Sequence, residues 1–569
     1  MYLGIDIGTS YTKIAGMLEG EWVDINPAGQ IIPTVAAYLP STGQLYFGNL
    51  ALRLDEPGAE KAFFFKLDLK RNIRFELGPY KLEELIKEFL SFLFTEYLES
   101  NAPPVKTLAL SVPNYFGLRS RQILQDAARQ VFGLSQIYLV PEPLAALIAY
   151  NTQNEIDPLE GTVLSIDVGG GTTDFSFLDA VSDRQEIILE AQFQIGYDAF
   201  SGSELDHGII RNIFIPLYQM QTGHSIPEQH ITGKLLLPQD RQIYNSWLVE
   251  AEKSKLEISR NGSAALYLGN FYKGRTISTR IDQSMFLAHL EPVYKKLQVY
   301  CQSLLKERAA LLGLADGDSW YIDSILLQGG GALAPGVKQI ITDCFPGLPV
   351  ILSDSPDMVA RGLCCWIDHY INKRDSLKTI YPFDFYLEIY DSIDKQMKLE
   401  RIPFDTANLE LEILGKYKIL SFSPPSYGDP NPEGEISLRI YEVAQGEAIT
   451  TQERFLGMEP VLDLKWPEGE IPAYINVYLN LYLSSLETDV ERAVSPSIDI
   501  NTPILPDPLS GQLDALKLIE NYKYINPDLI HDFSVHLEEH KQYAYSPYDD
   551  HAQTVHYKLL CLLHILDSK

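Results

Sequence analysis

Leu3-Gly4-Ile5-Asp6-Ile7-Gly8-Thr9-Ser10, close to the start of the chain, returns far downstream as Leu164-Ser165-Ile166-Asp167-Val168-Gly169-Gly170-Gly171-Thr172-Thr173-Asp174. Each copy is an apolar strand, an aspartate, one more apolar residue and a glycine-led turn that carries hydroxyls. Glycine lets the backbone turn tightly and bring its N–H groups against an anion, and Ser and Thr add donors. A carboxylate at the strand end repels phosphate, so its place there makes sense with a divalent cation between the two. One Asp-x-Gly turn alone is most often an ordinary hairpin. Two of them, built alike and far apart, predict a duplicated pair of lobes closing on one nucleotide from both sides.

A chain of 569 residues is too long for one core and predicts three or four domains. With 46% hydrophobic and 21% charged residues, the composition is that of a folded globular protein. The net charge of −30 sets the surface against nucleic acid and anionic membranes, so neither is expected as a partner. A polyanion bound against this field again calls for a metal ion and local lysines. The five cysteines, Cys301, Cys344, Cys364, Cys365 and Cys561, contain no CxxC pair, and Cys364-Cys365 falls in an apolar stretch that reads as core helix. Neither a disulfide framework nor a zinc site is expected. The first strand begins at once, leaving no room for a signal peptide, and no apolar run approaches the roughly 18–20 residues that span a bilayer. These features predict a cytoplasmic protein.

From Met1 to about Lys373 strands and helices alternate, as in α/β lobes. Lys81–Leu98 has helical spacing, with Leu85, Phe89, Phe92 and Leu93 on one face, and Ser120–Phe132 is a second helix entered from the strand Thr107–Val112. Polar and turn-forming residues over Asn151–Gly161 mark a break between lobes, and Gly208–Gln283 reads as an inserted subdomain with its own helix, Tyr244–Ile258. Past Lys373 the period becomes two, in Phe383–Ile389, Leu409–Ile413, Ile436–Tyr441 and Tyr474–Leu483, which predicts an antiparallel β-domain. Ala493–Gly511 is a Pro- and Ser-rich loop or linker. The tail from Gln512 returns to helix and ends in the apolar stretch Leu559–Leu566, a packing helix against the β-domain.

Three further segments carry a resemblance. Val140-Pro141-Glu142-Pro143-Leu144-Ala145-Ala146 places a proline in the first turn of a helix and a small residue where helices approach closely. Glu252, Lys255 and Ser259 recur on one helical face. Leu326-Leu327-Gln328-Gly329-Gly330-Gly331 is a buried strand running into a glycine turn, with Pro335 and an amphipathic helix beyond. In order and spacing these resemble the nucleotide-binding domain of the seventy-kilodalton heat-shock chaperones, of the DnaK type, within the actin-like ATPase superfamily. There is no Walker A motif, so phosphate is not held by a P-loop. Ile436–Glu447 and Phe455-Leu456-Gly457 are similar, more loosely, to the peptide-binding β-sandwich of the same chaperones, with an insertion in Tyr441–Glu447. The resemblance is strong over 1–372, moderate over 381–490 and absent beyond.

The resemblance implies an actin-like α/β ATPase domain of two lobes over 1–373, a linker at 374–380, an antiparallel β-sandwich over 381–491 and a loop with a short helical tail over 492–569. It implies Mg²⁺-dependent hydrolysis of ATP to ADP and phosphate. By position in the motifs, Asp6, Asp167 and Asp174 match the carboxylates around Mg²⁺ and a monovalent cation such as K⁺, chiefly through water. Gly8, Thr9, Ser10 and Tyr11 match the first phosphate turn, and Gly169, Gly170, Gly171 and Thr172 the second. Lys66, in Phe63-Phe64-Phe65-Lys66-Leu67, fits the lysine that stabilises charge on the γ-phosphate better than Lys70, because the phenylalanine run buries its stem and aims it inward. Glu142 matches the acid that helps place the attacking water. Glu252, Lys255, Ser259, Gly329, Gly330 and Asp357 match the nucleoside pocket. The partners implied are unfolded or extended polypeptide, a J-domain co-chaperone and a nucleotide exchange factor.

The chain departs from the family pattern in four places. Leu256 and Leu333 stand where two arginines usually sandwich the adenine. Ser201-Gly202-Ser203-Glu204 replaces two glycines and an acidic pair. The linker Arg374–Ile380 is not the usual leucine-rich acidic strand, and only about sixty residues remain for a helical lid. The leading expectation is therefore a divergent ATP-dependent chaperone of protein folding and the stress response, with slow hydrolysis. The short lid and altered linker also fit a nucleotide-gated scaffold or assembly factor for one dedicated partner protein. A small-molecule kinase would fit Leu3–Lys13 but leaves 381–490 unexplained.

Overall fold

A computed structural model of the chain describes residues 1–491 apart from 27–31, 57, 64, 72–74, 100–101, 114–115, 135–136, 155–156, 182–185, 198–199, 228–237, 312–320, 354, 372–382, 392–395, 403–410, 414–415, 423–434, 445–459, 468–473 and 481–484. The duplication written in the two turns reappears in the strand order of two sheets. In the first, Tyr2–Ile7 is central; Thr107–Val112 and then Ile137–Pro141 lie parallel on one side, while Tyr11–Leu18 and Glu21–Val23 return antiparallel on the other. In the second, Gly161–Val168 is central, flanked in parallel by Ser324–Gln328 and Val350–Leu352 and antiparallel by Thr173–Val181 and Glu186–Tyr197. The two sheets share one topology, so Asp6 and Asp167 sit at equivalent ends of equivalent strands. Leu3, Ile5 and Ile7 in one central strand, like Leu164, Ile166 and Val168 in the other, are buried, which explains why both strands read as apolar runs.

Two helices lie between the sheets, Glu142–Gln153 and Met358–Trp366, and they share one apolar core with residues of both sheets, including Ala15, Met17, Val163 and Leu326. They approach to backbone contact, since a Cβ at Gly362 would run into the carbonyl of Ala145. The Leu144–Ala149 segment is buried throughout, and the close approach read at Ala146 falls at Ala145. The adjacent Cys364 and Cys365 are buried in the second of these helices.

The helix read at Lys81–Leu98 runs over Leu82–Leu93 and widens into a π-type turn at Phe94–Leu98. The one expected from Ser120 begins at Leu118. In the segment read as an inserted subdomain the helix is longer than read, Pro238–Asn261, and is followed by the hairpin Ser263–Tyr272 and Arg275–Asp282. Trp247 stacks on Phe271 with ring centroids 4.4 Å apart and donates its indole N–H to the Phe271 carbonyl, and this core is continuous with that of the second sheet.

The β-domain is two four-stranded sheets facing each other over Phe385, Leu387, Leu438, Ile440, Ile475, Val477 and Leu479. The four period-two segments correspond to Phe383–Asp391, Leu411–Ile413, Glu435–Ala444 and Tyr474–Asn480. The sequence reading missed Gln396–Ile402, Lys416–Phe422, Leu462–Pro467 and Ser485–Glu491. Three of these are edge strands, where one side needs no strand partner and charged residues blunt the alternation. Leu118 completes the apolar core of this domain. Both carboxylate oxygens of Glu442 accept from the Leu118 N–H at 3.0 Å, at the start of a helix whose own capping position is Gly117. A Cβ on Gly117 would collide with that carboxylate. The linker 374–380, Phe455-Leu456-Gly457, Cys561, the loop Ala493–Gly511 and the tail from Gln512 lie outside the described residues.

Candidate active site

Asp6 ends the central strand of the first lobe and is buried. Its Oδ1 accepts from the Ser111 hydroxyl at 2.7 Å, and its Oδ2 pairs with the Lys13 ammonium at 3.3 Å. Burial alone would raise its pKa, but Lys13, Lys66 and the Ser111 hydroxyl outweigh it and hold the carboxyl below its ordinary range. Gly8 then turns the chain; a Cβ there would strike the Tyr11 carbonyl. The turn Thr9–Ser10–Tyr11 lines a cavity closed on its far side by Asp206, Leu248, Val249 and Glu252. Tyr11 faces Glu252 across this gap, and burial together with that carboxylate pushes its phenol pKa far up.

The second turn meets the first directly. Gly170 has no room for a side chain because Ser10 occupies it. The turn is held from behind, where Gly202 and Ser203 N–H groups donate to the carbonyls of Gly169 and Gly170 at 2.9 and 2.8 Å. The departure at Ser201–Glu204 thus keeps a working role: the Ser201 hydroxyl caps the helix Gly202–Ile209, whose first N–H groups hold the turn. The buried Thr172 donates to Asp174 Oδ2 at 2.9 Å. Asp167 keeps part of its surface open to the cleft, yet burial and the charges of Glu142 and Asp6 push its pKa up to about 7.

Lys66 lies in the first turn of the helix Phe65–Arg71 and is 4% exposed, with its ammonium 2.6 Å from Glu142 Oε1. Phe65 is buried edge-on against Phe89, and the Phe116 ring, outside the phenylalanine run, lies 5.9 Å from the ammonium. Glu142 opens its helix, and burial raises its pKa despite Lys66. Lysine and glutamate, 76 residues apart, therefore form one ion pair beside Asp6 and Asp167.

Across the cavity, the helix Pro238–Asn261 presents Glu252 to Tyr11, and buries Lys255 against Asp206 and the Gly202 carbonyl at 2.8 Å. Ser259 spends its hydroxyl on the Lys255 carbonyl of its own helix. Gly329, at φ 87°, runs so close to Asp167 that a Cβ would overlap its Oδ1, and Gly330 lies open beside it. Asp357 accepts from Ser355 and from Arg361 in its own helix start, so its carboxylate is engaged locally. Leu256 is half-buried and Leu333 is 45% exposed.

Among the described residues no three His, Cys, Asp or Glu are grouped to grip a metal ion. Several oxygens of Asp6, Asp167 and Asp174 already accept hydrogen bonds. What the site does hold is a surplus of carboxylate charge around one cleft, carried by hard oxygen donors. That fits a hydrated Mg²⁺ touched through water. Sequence reasoning missed Ser111, Asp206 and Gln328, and left Lys13 without a role. Ser111 and Gln328 come near the aspartates only through strand register, which no local motif records.

His207 lies behind the second turn, with Nδ1 2.7 Å from the Tyr244 hydroxyl. Burial, aided by Arg211 and Lys255 and opposed by Glu204, lowers its pKa. The folded protein thus resists protonating it, and its contribution to stability is present above about pH 6.5 and is lost as pH falls through the depressed value. The melting temperature should fall more steeply from pH 6.5 to 5 than in His207→Gln; parallel slopes would contradict this.

Two sheets of one topology, each with its central strand ending in a glycine turn and the two turns in contact, define a class of two-lobed nucleotide-binding proteins. The Hsp70 protein family profile matches residues 66–366, and the chain belongs to that family, whose nucleotide domain has the actin-like two-lobe ATPase fold. It is similar to the "Chaperone protein dnaK" of Guillardia theta, 25% identical over 393 residues, a match covering 63% of this chain and 58% of the relative. The chain thus spans well under two thirds of that relative's length in the match.

Proposed function

We propose that this chain is an Mg²⁺-dependent ATPase of the Hsp70 type that couples slow hydrolysis of ATP to ADP and phosphate with polypeptide binding. The observation that carries the reading is the Lys66–Glu142 pair, set between two phosphate turns in contact through Ser10 and Gly170. Thr9, Ser10, Gly169, Gly170 and Gly171 would cradle the phosphates by backbone and hydroxyl donors, with Thr172 braced against Asp174. Lys66 would stabilise charge developing on the γ-phosphate, and Glu142 would orient the attacking water. Asp6, Asp167 and Asp174 would hold Mg²⁺ through water, and the cation supplies neutralisation of phosphate charge. Glu252, Lys255, Ser259, Gly329 and Gly330 would form the nucleoside side; Asp357 would act through Ser355 and Arg361, which its carboxylate holds.

In this reading residues 1–373 form the ATPase and 381–491 the polypeptide-binding sandwich, and a J-domain protein and a nucleotide exchange factor are the partners that would pace the cycle. A fluorescent apolar peptide tests it. ATP should change peptide dissociation by about tenfold or less, a coupling of up to about 1.4 kcal/mol. Saturable peptide binding is required. Its absence with both ATP and ADP would favour the second reading, a nucleotide-gated scaffold for one protein partner. Leu118 and Glu442 support that alternative by joining the sandwich to the nucleotide domain.

Leu256 and Leu333 leave the base slot apolar, without cations to stack on adenine. Discrimination of ATP from GTP should be weak. Arginine at both positions should tighten ATP binding by about 1–3 kcal/mol through cation–π contact. Unchanged affinity in a calorimetric titration of the double variant would place the base elsewhere.

A further inference from the structure

Gln328 closes the strand Ser324–Gln328 and pairs in register with Asp167, which itself pairs with Asp174 on the next strand. Three polar residues therefore stand in one row across the second sheet at the level of its phosphate turn. Gln328 is 3% exposed. Its Nε2 lies 3.3 Å from Asp167 Oδ2 and 3.5 Å from the Ser165 hydroxyl. The other carboxylate oxygen of Asp167 rests against the Gly329 backbone, where no side chain fits. Asp167 is thus pinned at one oxygen by an amide and hemmed at the other by a glycine.

The amide is retained at a cost. Gln328 Oε1 is buried and has no hydrogen-bond partner among the described residues. A buried polar atom left so costs about 1–3 kcal/mol, in a strand that otherwise reads Ile325-Leu326-Leu327. An aliphatic side chain would suit that strand better unless the amide nitrogen has a task. Its charge is the clue. Lys13 and Lys66 already supply cations to this cluster, and another would cancel the negative charge that a hydrated divalent cation needs. A neutral donor removes the rotational freedom of Asp167 and leaves its charge in place.

We propose that Gln328 is a positioning residue for Asp167, fixing the carboxylate for the hydration shell of nucleotide-bound Mg²⁺. This rests on the nucleotide reading above. The test is calorimetric binding of ADP to the full chain, with Mg²⁺ and with EDTA. In the unmodified protein Mg²⁺ should tighten ADP binding. In Gln328→Met, of similar shape without the donor, this Mg²⁺-dependent tightening should shrink about tenfold, the low end for losing a hydrogen bond that orients a metal-binding group. ADP binding in EDTA should stay within about twofold, since Gln328 acts through Asp167 rather than on the nucleotide. Gln328→Asn, which keeps the amide but withdraws it by one methylene, should fall between the two and covers the case in which the methionine variant does not fold. Full Mg²⁺-dependent tightening in either folded variant overturns the proposal. Failure of the unmodified protein to bind ADP at all overturns the nucleotide reading instead, and the proposal with it.

Discussion

Lys66→Ala should lower ATP hydrolysis by about 100-fold or more while ADP binding changes only a few-fold, because the ammonium acts on charge that develops late in the reaction. The structure adds a second consequence. Lys66 and Glu142 are 4% and 14% exposed and form one close pair, so removing the lysine leaves a carboxylate almost buried and unmatched. Breaking such a pair from one side costs about 3 kcal/mol. The single variant should therefore be both inactive and less stable. Lys66→Ala with Glu142→Gln should regain most of the stability and none of the activity. Urea unfolding read beside single-turnover hydrolysis separates the two effects. Hydrolysis at the unmodified rate in Lys66→Ala would remove the lysine from the reaction and make Lys70 the candidate.

The second large effect is expected far from any phosphate. Gly362→Ala adds one methyl group where the helix Met358–Trp366 meets the carbonyl of Ala145, and that obstacle is backbone, so no rotamer change can relieve it. Overpacking of this kind costs about 1–3 kcal/mol, and the helices must separate to accept it. Because both sheets rest on this pair, the shift would also alter how the lobes face each other. Lower stability together with altered nucleotide affinity is the expected pattern. Unchanged urea midpoint and affinity would show that the two helices slide apart freely.

The parts of the site that were legible in the sequence are those whose residues are neighbours along the chain. The glycine turns announce themselves because Gly, Ser and Thr are consecutive, and Lys66 is marked by its place directly after a phenylalanine run. Glu142 is marked by the prolines that start its helix. What stayed hidden depends on register or on packing between distant elements. Gln328 reaches Asp167 through a parallel strand pairing, Ser111 reaches Asp6 in the same way, and Asp206 meets Lys255 through a helix contact. Four strands of the sandwich were missed, three of them edges, because edge strands are exposed and carry charges in place of a clean alternation. Asp357, placed on the nucleoside pocket by its motif position, also accepts from Ser355 and Arg361, neighbours that its motif did not mark.

The Leu118–Glu442 junction has a consequence for how this protein can be rearranged. The helix Leu118–Phe132 lacks a side-chain cap of its own and takes one from a strand more than three hundred residues later. That strand belongs to a domain whose apolar filling includes a leucine it does not encode. Each part is thus finished by a residue of the other. Exchanging the sandwich for that of a relative should fail at this seam unless positions 117, 118 and 442 travel as a set. Cutting the chain between the two parts exposes Leu118 and an uncapped helix start in one fragment, and opens the core of the other. The unit of inheritance is therefore the joined pair, even though the sequence is written as two domains.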